Sequence, residues 1–252
     1  MTHRCFSRNA SSSRAIPIEK MIQDIQDERA EFEFWGSNQK GMQSEKELTG
    51  DSLNDAIHYW DVACRNALLS ARSLNYSGAH KQIVNRVLEP FSHITVIATS
   101  SEDGLRNFFA LRAHKDAQPE FQVLAYKMLK LWLSNKPESL LWGEWHMPFC
   151  DPNRGKDALK ISTGRIARVS YLTHDGLRDP AKDIELHDRL IESGHMSPFE
   201  HCAQARLISP DQLSNFGSDW LQYRKMISNE CKYITNIELE QRLASRPHWV
   251  KL

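Results

Sequence analysis

Apolar residues recur at helical spacing along most of the chain. Ile18, Met21, Ile22 and Ile25 follow Pro17, so residues 17–27 read as an amphipathic helix opened by a proline. From Leu53 onward, Ala56, Ile57, Trp60, Ala63, Ala67 and Ala71 mark a long helix with one buried face. His80–Leu88 reads as a further helix, stopped by Pro90. HITVIAT, residues 93–99, is short and β-branched and predicts a strand. NFFALR and PEFQVLAYKMLKLWL predict helices over 104–114 and 117–134. Residues 161–171 and 181–193 are again helical in pattern, with Gly194 as the stop. CAQARLI alternates as a strand does, and SDWLQYRKMI reads as a helix.

The intervening stretches are polar or broken. Residues 36–52 predict a loop, and 135–160, with Pro137, Gly143, Pro148, Pro152 and Gly155, an irregular linker or inserted loop. No solenoid-type repeat appears. Helices and strands do not alternate as in a doubly wound sheet, so the pattern predicts one helix-rich α+β domain over residues 1–252.

Charge narrows the range of partners. Lys+Arg and Asp+Glu both number 32, which leaves a formal net charge of zero. A chain built to coat nucleic acid or an anionic membrane is normally basic overall, so neither is expected as a partner. Five scattered cysteines without a CxxC pair signal neither a disulfide framework nor a zinc ribbon and suit a reducing cytoplasm. No apolar run reaches the ~18 residues of a membrane span.

Against this background the N-terminus stands out. MTHRCFSRNASSSRAIP carries three arginines and no acid before Glu19. On composition it fits a transit peptide or a mobile tail as well as a binding site. Arg86 and Arg112 each sit beside apolar neighbours on a helix. Each reads either as a salt-bridge partner, Arg112 to Asp116 or Glu120, or as a fork of donors for a phosphate or a pyrimidine carbonyl. HMSPFEH, 195–201, brings two histidines and a glutamate together, but Pro198 and the spacing fit no helical metal motif, and a structural turn is the plainer reading. WGEWHMP, 142–148, reads as loop packing or as a platform for a flat ring. There is no GxSxG, P-loop or GxGxxG, and the cysteines read as structural thiols.

Together these pieces resemble the flavin-dependent thymidylate synthases. That family's signature runs Arg-His-Arg, two residues, Ser, any residue, Asn, two or three residues, Ser, any residue, Arg, Tyr. His3, Arg4, Ser7, Asn9, Ser12 and Arg14 fall in register with it. SPFEH at 197–201, preceded by His195, is similar to the second hallmark. Leu111, Arg112, Ala117, Gln118 and Glu120 match the LR…AQxE helix, and Arg86 to Pro90 resembles the family's basic helix. Thr2, Ala10 and Ala15 depart from the signature. SPFEH also follows the arginine signature here, whereas it precedes it in the shorter members. The usual lead-in to the signature has no counterpart before residue 3: either the chain starts late or another segment fills that place, for which WLQYRKMISNE, 220–230, is a candidate.

The resemblance implies a helix-rich α+β fold with a small, mostly antiparallel sheet. It implies conversion of dUMP to dTMP, with carbon from methylenetetrahydrofolate and hydride from NADPH by way of FAD, and without a cysteine nucleophile. Ser12, Ser13 and Arg14 would hold the dUMP phosphate, with Arg86 and Arg112 gripping the nucleotide. Arg112 would be catalytic, stabilising charge on the pyrimidine. His3, Arg4, Ser7, Asn9, His195, Ser197 and Glu200 would serve the flavin and folate side, and the sites would be assembled from copies of a homotetramer. A diverged member that binds nucleotide or flavin without turnover is the alternative.

Overall fold

The computed structural model describes residues 6–41, 43–171, 179–207, 214–228, 230 and 234–250. β1 (Phe6–Ala10) pairs antiparallel with β2 (Val96–Ser100), Phe6 opposite Ser100 and Ala10 opposite Val96. The N-terminal segment is therefore a strand before it is a loop. Side chains alternate along it: Ser7 and Asn9 are buried and Arg8 is exposed.

The chain then turns at Ser12–Ile16 into α1 (Ile18–Asp27), as the pattern predicts. α2 (Gly50–Tyr76) and α3 (Lys81–Leu88) pack beside it. Met21, Ile22 and Ile25 of α1, Cys64, Leu68 and Ala71 of α2, and Val84 and Leu88 of α3 form one apolar core. α4 (Glu102–Arg112) and α5 (Pro119–Ser134) form a helical hairpin whose own core is small: Phe108, Phe109 and Ala125, with Phe6 of β1 against it.

The stretch expected to be irregular up to residue 160 contains β3 (Trp145–His146) and the start of α6 (Ala158–Tyr171). α7 (Pro180–Ser193) begins on Asp179, whose side chain accepts from the N–H groups of Ala181 and Lys182, and ends on Gly194 in the left-handed region, φ 75°. Residues 197–200 form a single 3-10 turn, consistent with Pro198. A second sheet follows in the order β3–β4–β5, with β4 (Ala203–Ala205) at its centre and β5 (Trp220–Gln222) beside it. α8 (Asn236–Ala244) is the last helix among the described residues.

β5 replaces the first part of the helix expected over 218–227, and Tyr223–Met226 after it form a 3-10 helix. Gln222 pairs with Ala203, and the Tyr223 N–H donates to Cys202 O, so the free edge of β4 takes this segment as a strand. The fold is α+β, helix-rich, with two small antiparallel sheets. Among the described residues no helix is long and apolar enough to cross a membrane.

α6 and α7 are held by a buried ion triad. Asp183 is fully buried and receives Arg165 Nε at 3.0 Å and Arg168 Nε at 2.6 Å. The close approach rests on Gly164, where an added Cβ would lie 2.3 Å from the Asp183 carbonyl oxygen. Backbone cannot yield as a side-chain tip can. Gly164→Ala is expected to lower the unfolding free energy by about 3 kcal/mol, the upper range for overpacking. A urea melt checks this, and an unchanged midpoint would contradict the close packing.

Candidate functional site

Ser12, Ser13, Arg14 and Arg86 line one groove of about 470 Å³, together with Ser11, Glu89 and His93. Three separated segments deliver these residues. β1 hands over to the 12–16 turn, in which Ala15 N–H donates to Ser12 O and Ile16 N–H to Ser13 O. α3 carries Arg86, and the residues that lead into β2 close the third side.

α3 also clamps the turn. Asn85, fully buried, donates from Nδ2 to Ser13 O at 2.7 Å and to Ile16 O at 3.0 Å, and Lys81 Nζ donates to Ala15 O at 3.1 Å. In a planar trans peptide the N–H points opposite to the C=O. Drawing the Ser13 carbonyl onto Asn85 therefore turns the Arg14 N–H away from α3. The N–H groups of Ser12, Ser13 and Arg14 have no acceptor among the described residues. Three successive unpaired N–H groups beside two exposed arginines give this groove the donor set of a candidate anion site.

One feature opposes this. The segment is free of acids in sequence but not in space, because Ser13 Oγ donates to Glu89 Oε1 at 2.5 Å. An incoming anion must displace or share that hydroxyl. Asn85 and Glu89 are the functional neighbours that reading the sequence missed. A polar residue between the buried Val84 and Leu88 is the signal that could have found Asn85.

A second cluster joins β1 to the SPFEH turn, nearly the whole chain apart in sequence. Ser197 Oγ donates to Arg8 O at 3.2 Å. Gln222 Nε2 donates to Ser7 Oγ at 2.8 Å and to Glu200 O at 2.6 Å, and Asn215 Nδ2 reaches both Ser7 Oγ and Glu200 Oε2 at 3.3 Å. Arg224 pairs with Glu200. WLQYRKM thus supplies the glutamine and arginine that lock the two motifs together. Beneath them, His187 Nδ1 donates to Asp188 at 2.7 Å, and its Nε2 accepts from the Tyr223 hydroxyl at 3.0 Å. The tyrosine and imidazole rings stack with 5.8 Å between centroids.

This placement bears on the residues assigned to a flavin. Ser7 and Asn9 are buried, and Asn9 Nδ2 donates to Ile166 O at 2.9 Å, so both tie the strand down. Glu200 is held by Arg224 and Asn215. His195 and Ser197 are exposed, while His3 and Arg4 lie outside the described residues. Arg112 ends α4 with its guanidinium 5.9 Å from the Phe121 ring centroid; it pairs with neither Asp116 nor Glu120 and does not line the Ser12–Arg86 groove. Gln118 and Glu120 line a different groove, with Phe34 and Gln43.

A larger cleft of about 710 Å³ opens beside Thr99. Four carboxylates, Glu102, Asp103, Glu138 and Asp219, line it with one arginine, Arg206, so its lining is acidic on balance and the smaller groove is the candidate anion site. Burial pushes the Cys202 thiol up to about 11, and its Sγ contacts the Ser162 and Thr163 hydroxyls. A protonated, enclosed thiol is no nucleophile. Among the described residues no group of three or more His, Cys, Asp or Glu could hold a metal ion. Compared with protein families, curated proteins and solved structures, the chain matches none.

His201 is fully buried, with Nδ1 2.8 Å from Thr99 Oγ1. Burial, and then the nearby His146, hold its imidazole down to about 4 from an ordinary 6.5. Between those values the unfolded chain binds the proton and the folded chain does not. Stability is therefore complete above about pH 6.5 and falls as pH drops toward 4, by about 3 kcal/mol in all. Urea unfolding across this range is expected to show the slope, and His201→Gln is expected to remove that share of it. An identical slope in the variant would contradict the assignment.

Proposed function

We propose that the chain binds dUMP through its 5′-phosphate in the Ser12–Arg86 groove and is a flavin-dependent thymidylate synthase. The single observation that carries the reading is convergence. Ser12, Ser13, Arg14 and Arg86 are four of the five residues that the resemblance assigns to the nucleotide, Arg112 being the fifth, and these four meet in one groove with three unpaired N–H groups. Contact between the two hallmark segments, through Ser7, Ser197 and Glu200, supports it as well.

In this reading dUMP, methylenetetrahydrofolate and NADPH give dTMP, tetrahydrofolate and NADP. Bound FAD supplies the hydride relay, and the chain's own residues position and neutralise the nucleotide. The two arginines and the N–H groups would bind the phosphate dianion by charge-assisted hydrogen bonds. The closed-off Cys202 is compatible with a route that uses no enzyme thiolate. Arg112 would act on the pyrimidine from a neighbouring copy of a homotetramer, which accommodates its distance from the groove. Free thiols at Cys64, Cys150 and Cys202 suit the cytoplasm as the compartment. The burial of Ser7 and Asn9 favours the second reading, a nucleotide-binding relative without turnover.

Calorimetric titration separates these cases. Arg14→Ala and Arg86→Ala are each expected to weaken dUMP binding by about 10–100-fold, since a hydrogen bond to a charged group contributes about 1.5–3 kcal/mol. Deoxyuridine, without the phosphate, should bind weakly and be indifferent to both changes. Equal dUMP affinity in all three proteins would remove the groove as the phosphate site. With FAD and methylenetetrahydrofolate added, NADPH oxidation that depends on dUMP supports the synthase. Tight dUMP binding without oxidation supports the second reading.

A further inference from the structure

We propose that Glu89 makes the Ser12–Arg86 groove selective for a phosphate that can carry a proton, by holding that proton between its carboxylate and one phosphate oxygen. The inference rests on the groove's being the phosphate site, as proposed above. The N–H groups of Ser12, Ser13 and Arg14 and the guanidinium groups of Arg14 and Arg86 are donors only. Glu89 lines the same groove, and an ionised carboxylate is an acceptor only. A site for anions has no plain use for such a group, and the neighbouring cations do not neutralise it. Glu89 follows Arg86 by three residues, yet its carboxylate has one partner among the described residues, the Ser13 hydroxyl at 2.5 Å.

The proton count shows what the ligand must bring. A serine hydroxyl has one proton to donate. While Ser13 gives it to Glu89, the Ser13 Oγ offers the groove lone pairs alone. If Ser13 turns that proton to a phosphate oxygen, Glu89 loses its donor and faces the anion. Either way an acceptor meets an acceptor, and two like charges sharing a site are relieved by one proton between them. A phosphate monoester can supply it, because its second proton leaves at about pH 6. On binding, the dianion takes one proton from the buffer, a phosphate O–H forms, and that O–H donates to Glu89. The proton then belongs to the pair rather than to either member. Sulfate has the shape and charge of the dianion but takes up no proton near neutrality, so Glu89 stays opposed to it. Arg14, Arg86 and Lys81, whose Nζ donates to Ala15 O, are the cations around the pair. His93 is the other groove side chain able to exchange a proton, and α1 contributes Met21 but no charge to the walls.

Calorimetry of the full chain with inorganic phosphate and sulfate, at about pH 8 in two buffers of unlike ionisation enthalpy, tests this. The wild type is expected to take up close to one proton per phosphate bound. It should bind sulfate about 10–100-fold more weakly, since a phosphate monoester accepts its second proton at about pH 6 and a carboxylate at about pH 4. Its dUMP affinity should fall about tenfold from about pH 7 to about pH 8, the linkage of one proton. Glu89→Gln can keep the Ser13 hydrogen bond and presents an amide in place of the charge. This variant should bind phosphate without proton uptake, hold its dUMP affinity across that range, and bind sulfate and phosphate within about threefold of each other. His93→Gln should behave as wild type. Phosphate binding by the wild type without proton uptake, unchanged linkage or selectivity in Glu89→Gln, or linkage abolished by His93→Gln would each overturn the proposal. The groove would still stand as the phosphate site if Arg14→Ala weakened binding. A change in Glu89→Gln seen with dUMP and not with inorganic phosphate would put the Glu89 partner on the sugar and overturn it as well. A wild type that binds neither phosphate nor dUMP would remove the groove reading together with this one.

Discussion

The antiparallel register of Phe6–Ala10 against Val96–Ser100 places almost everything else in the molecule. It turns Ser7 and Asn9 inward, one to Gln222 and Asn215, the other to the backbone of α6. Ser11 continues the ladder in both directions, donating its N–H to Thr95 O and accepting Thr95 N–H on its hydroxyl. Beyond Ser11 the ladder ends, and the next three N–H groups have no strand to pair with. A slip of one residue would exchange the buried and exposed faces and put Arg8 where Ser7 now sits. The same pairing thus anchors the SPFEH junction at one end and opens the groove at the other.

The groove balances two kinds of charge. Arg14, Arg86 and the unpaired N–H groups set positive charge around it, and Glu89 occupies part of the same space. Asn85 gives the backbone contribution its direction, because it holds the Ser13 and Ile16 carbonyls toward α3 in addition to the turn's own hydrogen bonds. Glu89 on the Ser13 hydroxyl fills the role of an internal anion. A phosphate carries more charge than a carboxylate and meets several donors at once, which favours the exchange.

Much of this was legible before the fold was known. Pro17, Gly194 and the apolar periodicity mark the ends and faces of α1, α3 and α7, because those signals act within a few residues of chain. Ser12, Ser13, Arg14 and Arg86 stand out only through the family resemblance, since composition alone fits a transit peptide or tail at the N-terminus and a salt bridge at Arg86. What could not be read depends on contacts across the chain. WLQ is a strand because β4 offers it an edge, so its helical pattern yields to the ladder. Glu89 enters the groove only because α3 folds back against the N-terminal turn. Ser7 and Asn9 look like binding residues from sequence, and become interior anchors once α6 and Gln222 cover them.

The central claim is that the backbone after β1 receives a phosphate. Amide nitrogen–proton correlation spectra of the labelled chain test it most directly. Adding dUMP should shift the Ser12, Ser13 and Arg14 amide resonances downfield, as hydrogen bonds to a phosphate form, while deoxyuridine at the same concentration leaves them in place. If dUMP binds elsewhere and those three resonances do not move, the groove is not the phosphate site and the account fails.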